Sequence, residues 1–272
     1  ELRRRQYLAG MNIEDLELIL HPMVEEAKEA VGSMGDDTPA AVLSEKYRPL
    51  SHFFRQNFSQ VTNPPIDSLR ENEVMSLKTR FGNLGNILDF ENLTKENIYV
   101  LESPILSNSQ FEKFKVLFKN SIRVLDCTFG IKDSLKERLD KLSLEAEVAV
   151  REGCKHLILS DKLISKEKAA IPMTLAFGAI NSKLVNLGIR GFVSINIQTG
   201  EVLDTHSFAV LLGVGATTVN PYLVFDSIHQ RYEKKLFGKF SFEECVQRYI
   251  KSVDNGLLKI MSKMGISVLS SY

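Results

Sequence analysis

The chain has 272 residues, of which 44% are hydrophobic and 25% charged, and its 34 basic and 34 acidic residues give a formal net charge of zero. These values are ordinary for a soluble globular protein and argue against a nucleic-acid binder, which needs a basic excess to bind phosphates. No apolar run reaches the roughly 20 residues that span a bilayer, and the N-terminus lacks a secretory signal, so we expect no membrane partner. The three cysteines are widely spaced, which predicts reduced thiols in a cytoplasmic location and neither a disulfide framework nor a metal site.

Residues 1–96 predict a helical and loop segment at the N-terminus. In chain order, its predicted parts are a linker or frayed arm at 1–10, a helix at 13–31, short helices at 49–60 and 68–80, and a loop at 81–96. Asn12 is the predicted N-cap of the first helix, and Gly32 is its predicted stop. Pro22 interrupts the helical pattern, so we expect the helix to break at His21 and to restart with Pro22 in its first turn.

From residue 97 onward the pattern changes to alternating strands and helices. Apolar runs predict strands at 98–103, 122–129, 156–161, 191–197 and around Val219, and helical patterns lie at 107–119, 132–152, 172–187 and 242–264. Ser241 and Glu244 have the spacing of a capping box at the start of the last helix. Buried strands that are joined by helical crossovers imply a parallel sheet.

Five or more such units favour an α/β fold with a βα-barrel-like, TIM-barrel-related layout, parallel strands and extra N-terminal helices. Periodicity alone does not choose between this barrel and an open doubly wound α/β sheet. We expect 1–96 and 97–272 to be two segments of a single domain. Because the chain begins in mid-charge without Met and ends on an apolar strand-like run, we also expect it to be a piece of a longer polypeptide.

Two dense clusters of glycine, proline and small polar residues lie between Glu29 and Asp67. The first is GSMGDDTP at 32–39, and the second is TNPP at 62–65. Glycine permits close backbone approach and proline stiffens a loop, so the two clusters predict two rigid polar loops that could face a ligand. Two ordinary turns would have the same composition, because these residue types dominate turns.

Four stretches of the sequence, one of which contains both clusters, carry a family resemblance. Residues 21–71, LILSDK (157–162), HSFAVLLGVGATTVNPYLVFDSI (206–228) and GLLKIMSKMGIS (256–267) resemble, in this order, the central domain of the glutamate synthase large chain. The resemblance implies a barrel-like, non-catalytic domain that connects a glutaminase domain to an FMN synthase domain and lines the ammonia passage between them. The parent enzyme would be an oxidoreductase of ammonia assimilation and glutamate biosynthesis, converting glutamine and 2-oxoglutarate to two glutamates by reductive amidotransfer.

The resemblance also implies cofactors and partners. The parent would use FMN and an iron–sulfur cluster, which belong to the following domain, and this chain alone would hold neither. Its partners would be the glutaminase and FMN-binding domains of the same polypeptide, with an electron-donating small subunit as a further candidate. NADPH, NADH and ferredoxin all remain open as the electron donor.

Site residues follow from the same resemblance. Gly32, Ser33, Met34, Gly35 and Asp36 would form a loop at the 2-oxoglutarate site, in which the Ser33 hydroxyl and backbone N–H groups suit a carboxylate. Thr62 and Asn63 would line the ammonia passage. We expect no catalytic residue, since Cys154 beside His156 is better explained as a buried thiol than as a nucleophile.

Two other functions remain open. One is an autonomous flavin- or phosphate-binding barrel enzyme, for which Gly213–Gly215 is the nearest glycine-rich loop, although packing explains those glycines better. The other is a pure interdomain scaffold without small-molecule contacts.

Overall fold

The computed structural model describes residues 1–32, 35, 42–43, 45, 47–55, 69–81 and 99–272, and for 71 and 72 it describes the backbone only. These residues divide into two compact units. The helical unit comprises Glu1–Leu77, Gly200–Gly213 and Pro221–Tyr272, and the sheet unit comprises Lys78–Thr199 and Val214–Asn220. The predicted boundary at 96/97 lies outside the described residues, and the single-domain organisation stays a prediction.

Every regular element that the structure describes in the helical unit is a helix. Its α-helices are α1 (Leu2–Leu8), α2 (His21–Glu26), α3 (Glu71–Val74), α7 (Thr205–Gly213), α8 (Tyr222–Glu233) and α9 (Phe242–Met264). A π-helix at Asp15–Leu20 leads into α2, and short 3-10 turns lie at Leu50–Phe53 and Leu269–Ser271. The predicted extra N-terminal helices are therefore present.

The longest helix, α9, has the bounds and the cap that the sequence predicts. Ser241 Oγ accepts from the backbone N–H of Glu244 at 3.3 Å, and Glu244 Oε2 accepts from the backbone N–H of Ser241 at 2.8 Å. Gly265 ends the helix in the left-handed conformation, with φ at 69°. Such local signals define helix ends without help from the rest of the fold.

The first 31 residues depart from the prediction in two ways. Residues 2–8 form a helix and not a frayed arm, because the buried Gln6 side chain donates a hydrogen bond to Ser227 Oγ at 2.7 Å. The predicted helix over 13–31 is a π-helix followed by α2, which stops at Ala27 in the left-handed conformation and not at Gly32. The predicted cap at Asn12 and the restart at Pro22 are both present.

The sheet unit alternates strands and helices. Its elements are β1 (Thr79–Phe81), β2 (Tyr99–Leu101), α4 (Asn108–Leu117), β3 (Ile122–Asp126), β4 (Thr128–Gly130), α5 (Leu135–Arg151), β5 (His156–Ser160), β6 (Lys168–Ala170), α6 (Met173–Asn186), β7 (Ser194–Gln198) and β8 (Thr218–Asn220). The four strands β3, β5, β7 and β8 are hydrogen-bonded in this order, and each pair is parallel.

The order of these four strands is that of a βα barrel, in which each strand adds beside the previous one. A doubly wound sheet reverses its order at a switch point, and the four described strands show no such reversal. A parallel bridge between Ile105 and Val219 also places the segment before α4 beside β8, as the first and last strands of a barrel are neighbours. The predicted α/β fold with parallel strands is confirmed.

Two of the predicted strands pair differently from the expected parallel arrangement. The run at 98–103 contains β2, which pairs antiparallel with β1 and lies outside the parallel sheet. The run at 122–129 contains both β3 and β4, and β4 pairs antiparallel with β6. An apolar run indicates a strand, but it does not reveal the strand's partner, its direction or its burial, and β2 is largely exposed.

The parallel strands present two unlike faces, because side chains alternate along a strand. One face carries aliphatic residues, which are Leu157, Leu159, Ile195, Ile197 and Val219. The other face carries mostly polar residues, which are His156, Ser160, Asn196, Gln198, Thr218 and Asn220. Near the start of β5, this second face is covered by a core cluster of Phe81, Leu106, Phe111, Phe114 and Ile158.

Candidate functional site

The structure describes only two of the predicted site residues, Gly32 and Gly35. Ser33, Met34, Asp36, Thr62 and Asn63 lie outside the described residues. Gly35 has φ at +82°, and a Cβ there would collide with the carbonyl oxygen of Phe54 and lie 2.9 Å from Arg55 Cα. Glycine is thus required at 35 for a close approach to the chain's own backbone.

Gly32 lies at the edge of a pocket of about 60 Å³ in the helical unit. We call it the Thr205 pocket, and its lining residues are Ile19, Glu29, Ala30, Val31, Gly32, Asp204, Thr205, His206 and Ile260. Three parts of the sequence supply these residues, namely the segments around α2, the start of α7 and the second half of α9. The pocket combines apolar walls with a few polar groups, as ligand sites commonly do.

The start of α7 positions the polar groups of the pocket. Asp204 Oδ1 accepts a hydrogen bond from the Ser207 backbone N–H at 3.0 Å, which caps the helix and fixes its first turn. The His206 ring nitrogen Nε2 lies 2.8 Å from the Ser51 carbonyl oxygen. A carbonyl only accepts, so Nε2 carries the hydrogen, and in the neutral ring Nδ1 is then left as an acceptor.

Two polar atoms of this pocket have no hydrogen-bond partner among the described residues. They are His206 Nδ1 and Thr205 Oγ1, and their residues are only 6% and 9% exposed. A buried polar group that lacks a partner costs about 1–3 kcal/mol, so native proteins keep few of them. Two in one small pocket suggest that the pocket has an occupant.

A glycine in the middle of α9 makes room for these groups. A Cβ at Gly256 would lie 2.7 Å from Thr205 Oγ1 and 2.8 Å from Glu29 Oε2, both too close for a carbon atom. Glycine within a helix costs about 1 kcal/mol relative to alanine. Glycine at 256 therefore lets Thr205 Oγ1 and Glu29 Oε2 both approach the backbone of α9 closely.

Acidic groups dominate the electrostatics around the start of α7. Burial raises the pKa of the Asp15 carboxyl, and the neighbouring Glu14 and Asp204 carboxylates raise it further. Burial also raises the pKa of Tyr249, to which Asp204 again contributes. Glu29 forms an ion pair with Lys259. The described lining therefore disfavours an anion such as 2-oxoglutarate inside this pocket itself.

In the sheet unit, the carboxyl ends of the parallel strands hold a row of hydrogen-bonded side chains. Ser160 Oγ donates to Gln198 Oε1 at 3.0 Å, and Gln198 Nε2 donates to Asn220 Oδ1 at 3.2 Å. Asn220 Nδ2 in turn donates to the Leu106 carbonyl at 2.9 Å and to Asn108 Oδ1 at 3.0 Å. We call these side chains the amide row. All three strand residues are buried and neutral, and each is bonded to the next.

The possible cysteine–histidine pair of the sequence does not form a catalytic dyad. Cys154 Sγ points to the carbonyl oxygens of Ser121 and His156, at 3.4 and 3.3 Å, and burial raises the pKa of its thiol. The His156 ring packs against Phe118 with a centroid distance of 4.4 Å, and its Nδ1 contacts Ser194 Oγ at 2.7 Å. Burial lowers the pKa of His156 to about 4. These contacts agree with the structural explanation of Cys154.

The glycines of GVGATT are explained by their surroundings. In the sheet unit, Gly215 has φ at +110°, its Cβ position lies 3.5 Å from the Phe177 ring, and its carbonyl accepts from Arg190 at 3.1 Å. In the helical unit, the Cβ position of Gly213 lies 3.3 Å from the Tyr272 ring. The positive φ therefore accounts for Gly215 and close packing for Gly213, and the loop gives no support to a phosphate-binding enzyme.

The comparison with known families covers almost the whole chain. The family described as glutamate synthase central domain matches residues 4–272. The chain belongs to this family. It is 56% identical over 275 residues to the glutamate synthase [NADPH] large chain of Azospirillum brasilense and 41% identical over 287 residues to ferredoxin-dependent glutamate synthase 2 of Arabidopsis thaliana. Both alignments include 100% of this chain but only 18% of the relative.

The central domain of glutamate synthase also has distant likenesses among solved structures. One is a flavocytochrome b2 with sulfite bound, at 13% identity and a TM-score of 0.41, which covers 59% of this chain and 36% of that one. Among the residues that the structure describes, no helix is long and apolar enough to cross a membrane. The same residues contain no group of three His, Cys, Asp or Glu side chains that could hold a metal ion.

The sequence reasoning missed both polar clusters. The runs at 191–197 and around Val219 predict apolar strands and so conceal the amide row, although every second residue of 194–198 and of 218–220 is polar. That alternation was the signal that could have found it. Thr205 and His206 are the first residues of the apolar helix α7, and no local pattern reveals that Thr205 Oγ1 and His206 Nδ1 lack a partner among the described residues.

Proposed function

We propose that this chain is the non-catalytic linking domain of a glutamate synthase. In the complete polypeptide it connects the glutaminase domain to the FMN synthase domain and lines the ammonia passage between them. The complete enzyme converts glutamine and 2-oxoglutarate to two glutamates with FMN and an iron–sulfur cluster, in the cytoplasm in bacteria. Membership of the family and the 18% share of its relatives' length support a role as one part of a larger enzyme.

The observation that carries the non-catalytic assignment is the amide row. Proteins with βα units place their catalytic residues at the carboxyl ends of the parallel strands. Here the ends of β5, β7 and β8 hold Ser160, Gln198 and Asn220, whose side chains are neutral, buried and bonded to one another. The two carboxylates at the ends of β3 and β5, Asp126 and Asp161, accept hydrogen bonds from the hydroxyls of Thr128 and Thr199. A hydrogen-bonded row of this kind stiffens the sheet and offers no acid, base or nucleophile to a substrate.

Two loops supply the contacts of the proposed role. The loop Gly32–Asp36 would approach 2-oxoglutarate in the synthase site, with Ser33 and backbone N–H groups facing a carboxylate. Thr62 and Asn63 would line the passage, where short polar side chains beside Pro64 and Pro65 leave a rigid path for ammonia. Neither loop needs a catalytic group.

The isolated chain provides the first test. It should hydrolyse no glutamine, form no glutamate from glutamine and 2-oxoglutarate, and remain colourless after incubation with FMN and gel filtration. A folded chain that retains flavin, or that turns over either substrate, would contradict the proposal. Circular dichroism on the same sample establishes that the chain is folded.

Substitutions of Thr62 in the complete enzyme provide the second test. Thr62→Leu should narrow the passage, so that glutamine consumption exceeds 2-oxoglutarate consumption by several-fold, whereas Thr62→Ser should leave the two rates coupled. The measurement is the ratio of glutamine consumed to 2-oxoglutarate consumed. If Thr62→Leu keeps the ratio of the unaltered enzyme, Thr62 does not line the passage.

A further inference from the structure

We propose that the Thr205 pocket is a binding site for a small ammonium-type cation, either ammonium or a compact primary ammonium group. The inference depends only on the groups of this pocket. It is independent of the passage proposed at Thr62 and Asn63, so the two can fail separately.

The hydrogen-bonding groups of the pocket select a donor. His206 Nε2 is committed to the Ser51 carbonyl, which makes Nδ1 of the neutral ring an acceptor, and this atom has no partner among the described residues. Thr205 Oγ1, also without a partner there, can accept as well. Asp204 and Glu29 bring further carboxylate oxygens to the lining. A ligand with several N–H groups would satisfy these acceptors together.

The charge of the lining selects a cation. Glu29 and Lys259 form an ion pair and largely cancel each other. Asp204 then remains as the charged group of the lining that forms no ion pair with a basic side chain among the described residues, and its hydrogen bonds come from Ser207. The Asp204 carboxylate contributes to the raised pKa of Asp15 and to that of Tyr249, as a negative charge does. An anion would be repelled and a single positive charge attracted.

The size of the pocket and its nitrogen acceptor exclude larger or harder ions. A pocket of about 60 Å³ suits a ligand of one or two heavy atoms. Potassium has nearly the size of ammonium, but hard cations take oxygen ligands, and the imidazole nitrogen would remain unsatisfied. Gly256 keeps the space open, because any side chain there would enter the gap between Thr205 and Glu29.

A titration with matched salts tests the proposal. The chain contains five histidines, so ¹⁵N labelling of histidine gives few enough ring signals to assign, and His206→Gln identifies the His206 signals by their loss. We expect ammonium chloride, or methylammonium chloride, to shift the His206 ring signals saturably. Potassium chloride at the same ionic strength should shift them at least tenfold less. Equal shifts with potassium, or no saturable shift with either ammonium salt, would overturn the proposal.

Two substitutions separate binding from folding. His206→Gln keeps a donor near the Nε2 position for the Ser51 carbonyl but loses the Nδ1 acceptor, and Thr205→Val keeps the shape but loses the hydroxyl. Thermal unfolding in ammonium chloride, compared with potassium chloride, gives an apparent affinity for ammonium, and this affinity should fall at least tenfold in both variants. Thr205→Ser should retain the affinity of the unaltered chain, and so should a substitution of the exposed His229, His229→Gln. Unchanged ammonium affinity in a folded Thr205→Val variant would contradict the assignment.

Discussion

The amide row and the Thr205 pocket are both buried and polar, but they differ in whether their hydrogen-bonding groups have partners. In the amide row every amide of the strands is bonded to a neighbour, from Ser160 across Gln198 to Asn220. In the pocket, Thr205 Oγ1 and His206 Nδ1 are left without partners among the described residues. A fully bonded cluster contributes to the stability of the fold, whereas an incompletely bonded one indicates a ligand.

The largest expected effect is a loss of stability when a side chain of the amide row is removed. Asn220→Ala should lower the free energy of unfolding by about 4 kcal/mol, because Gln198 Nε2 and the buried Leu106 carbonyl oxygen lose their bonds to Asn220, at about 1–3 kcal/mol for each buried group. Urea unfolding followed by circular dichroism measures the difference.

Thr205→Val is the matched comparison for Asn220→Ala. It should raise the free energy of unfolding by about 1–3 kcal/mol in the absence of ammonium, because it removes a buried hydroxyl that has no hydrogen-bond partner among the described residues. A large loss of stability for Thr205→Val would show that its hydroxyl is bonded in solution, and the contrast between the clusters would then disappear.

The pH dependence of stability should come from the polar face of the sheet. The unfolded His156 ring takes up a proton near pH 6.5, but burial holds its folded pKa at about 4. The folded state therefore binds fewer protons, so its stability should fall by up to about 3 kcal/mol as the pH drops from about 6.5 to about 4. His156→Phe should remove most of this slope. Urea unfolding at several pH values tests this, and an equal slope in both proteins would contradict it.

Two glycines within helices sharpen the comparison further. Gly256→Ala should lower the free energy of unfolding by about 2 kcal/mol, because the methyl group would collide with Thr205 and Glu29. Gly178→Ala in α6 meets no atom within 4 Å, so it should raise the free energy of unfolding by about 0.5–1 kcal/mol. Thermal unfolding of both variants gives the signs, and a stabilised Gly256→Ala variant would refute the close approach at α9.

The sequence predicted those features whose causes are local. The bounds of α9 follow from Ser241, Glu244 and Gly265, which lie within or beside the helix. The helix at 2–8 was missed because a contact between Gln6 and Ser227, far apart in the chain, holds it. The sequence predicts the four parallel strands, but it predicts neither β6 nor the partner of β2, and the predicted helix at 68–80 is wrong at its end, where β1 lies. Pairing depends on the whole sheet.

The candidate site was less accessible to sequence reasoning than the fold. Glycine clusters drew attention to Gly32–Asp36, and Gly32 does lie at the edge of the Thr205 pocket. The atoms that give this pocket its character are Thr205 Oγ1 and His206 Nδ1, which have no hydrogen-bond partner among the described residues. That property depends on how α7, α9 and the segment after α2 pack together, which no local pattern contains.

The division of the chain has a consequence for its synthesis. The backbone passes between the two units at 77/78, 199/200, 213/214 and 220/221. A ribosome therefore completes the sheet unit once residue 220 has emerged, whereas the helical unit, although it begins at residue 1, must wait for α9 near the end of the message. The first 77 residues are thus synthesised before α8 and α9, against which α1 and α2 pack, and until then the apolar side chains of α1 and α2 lack these partners.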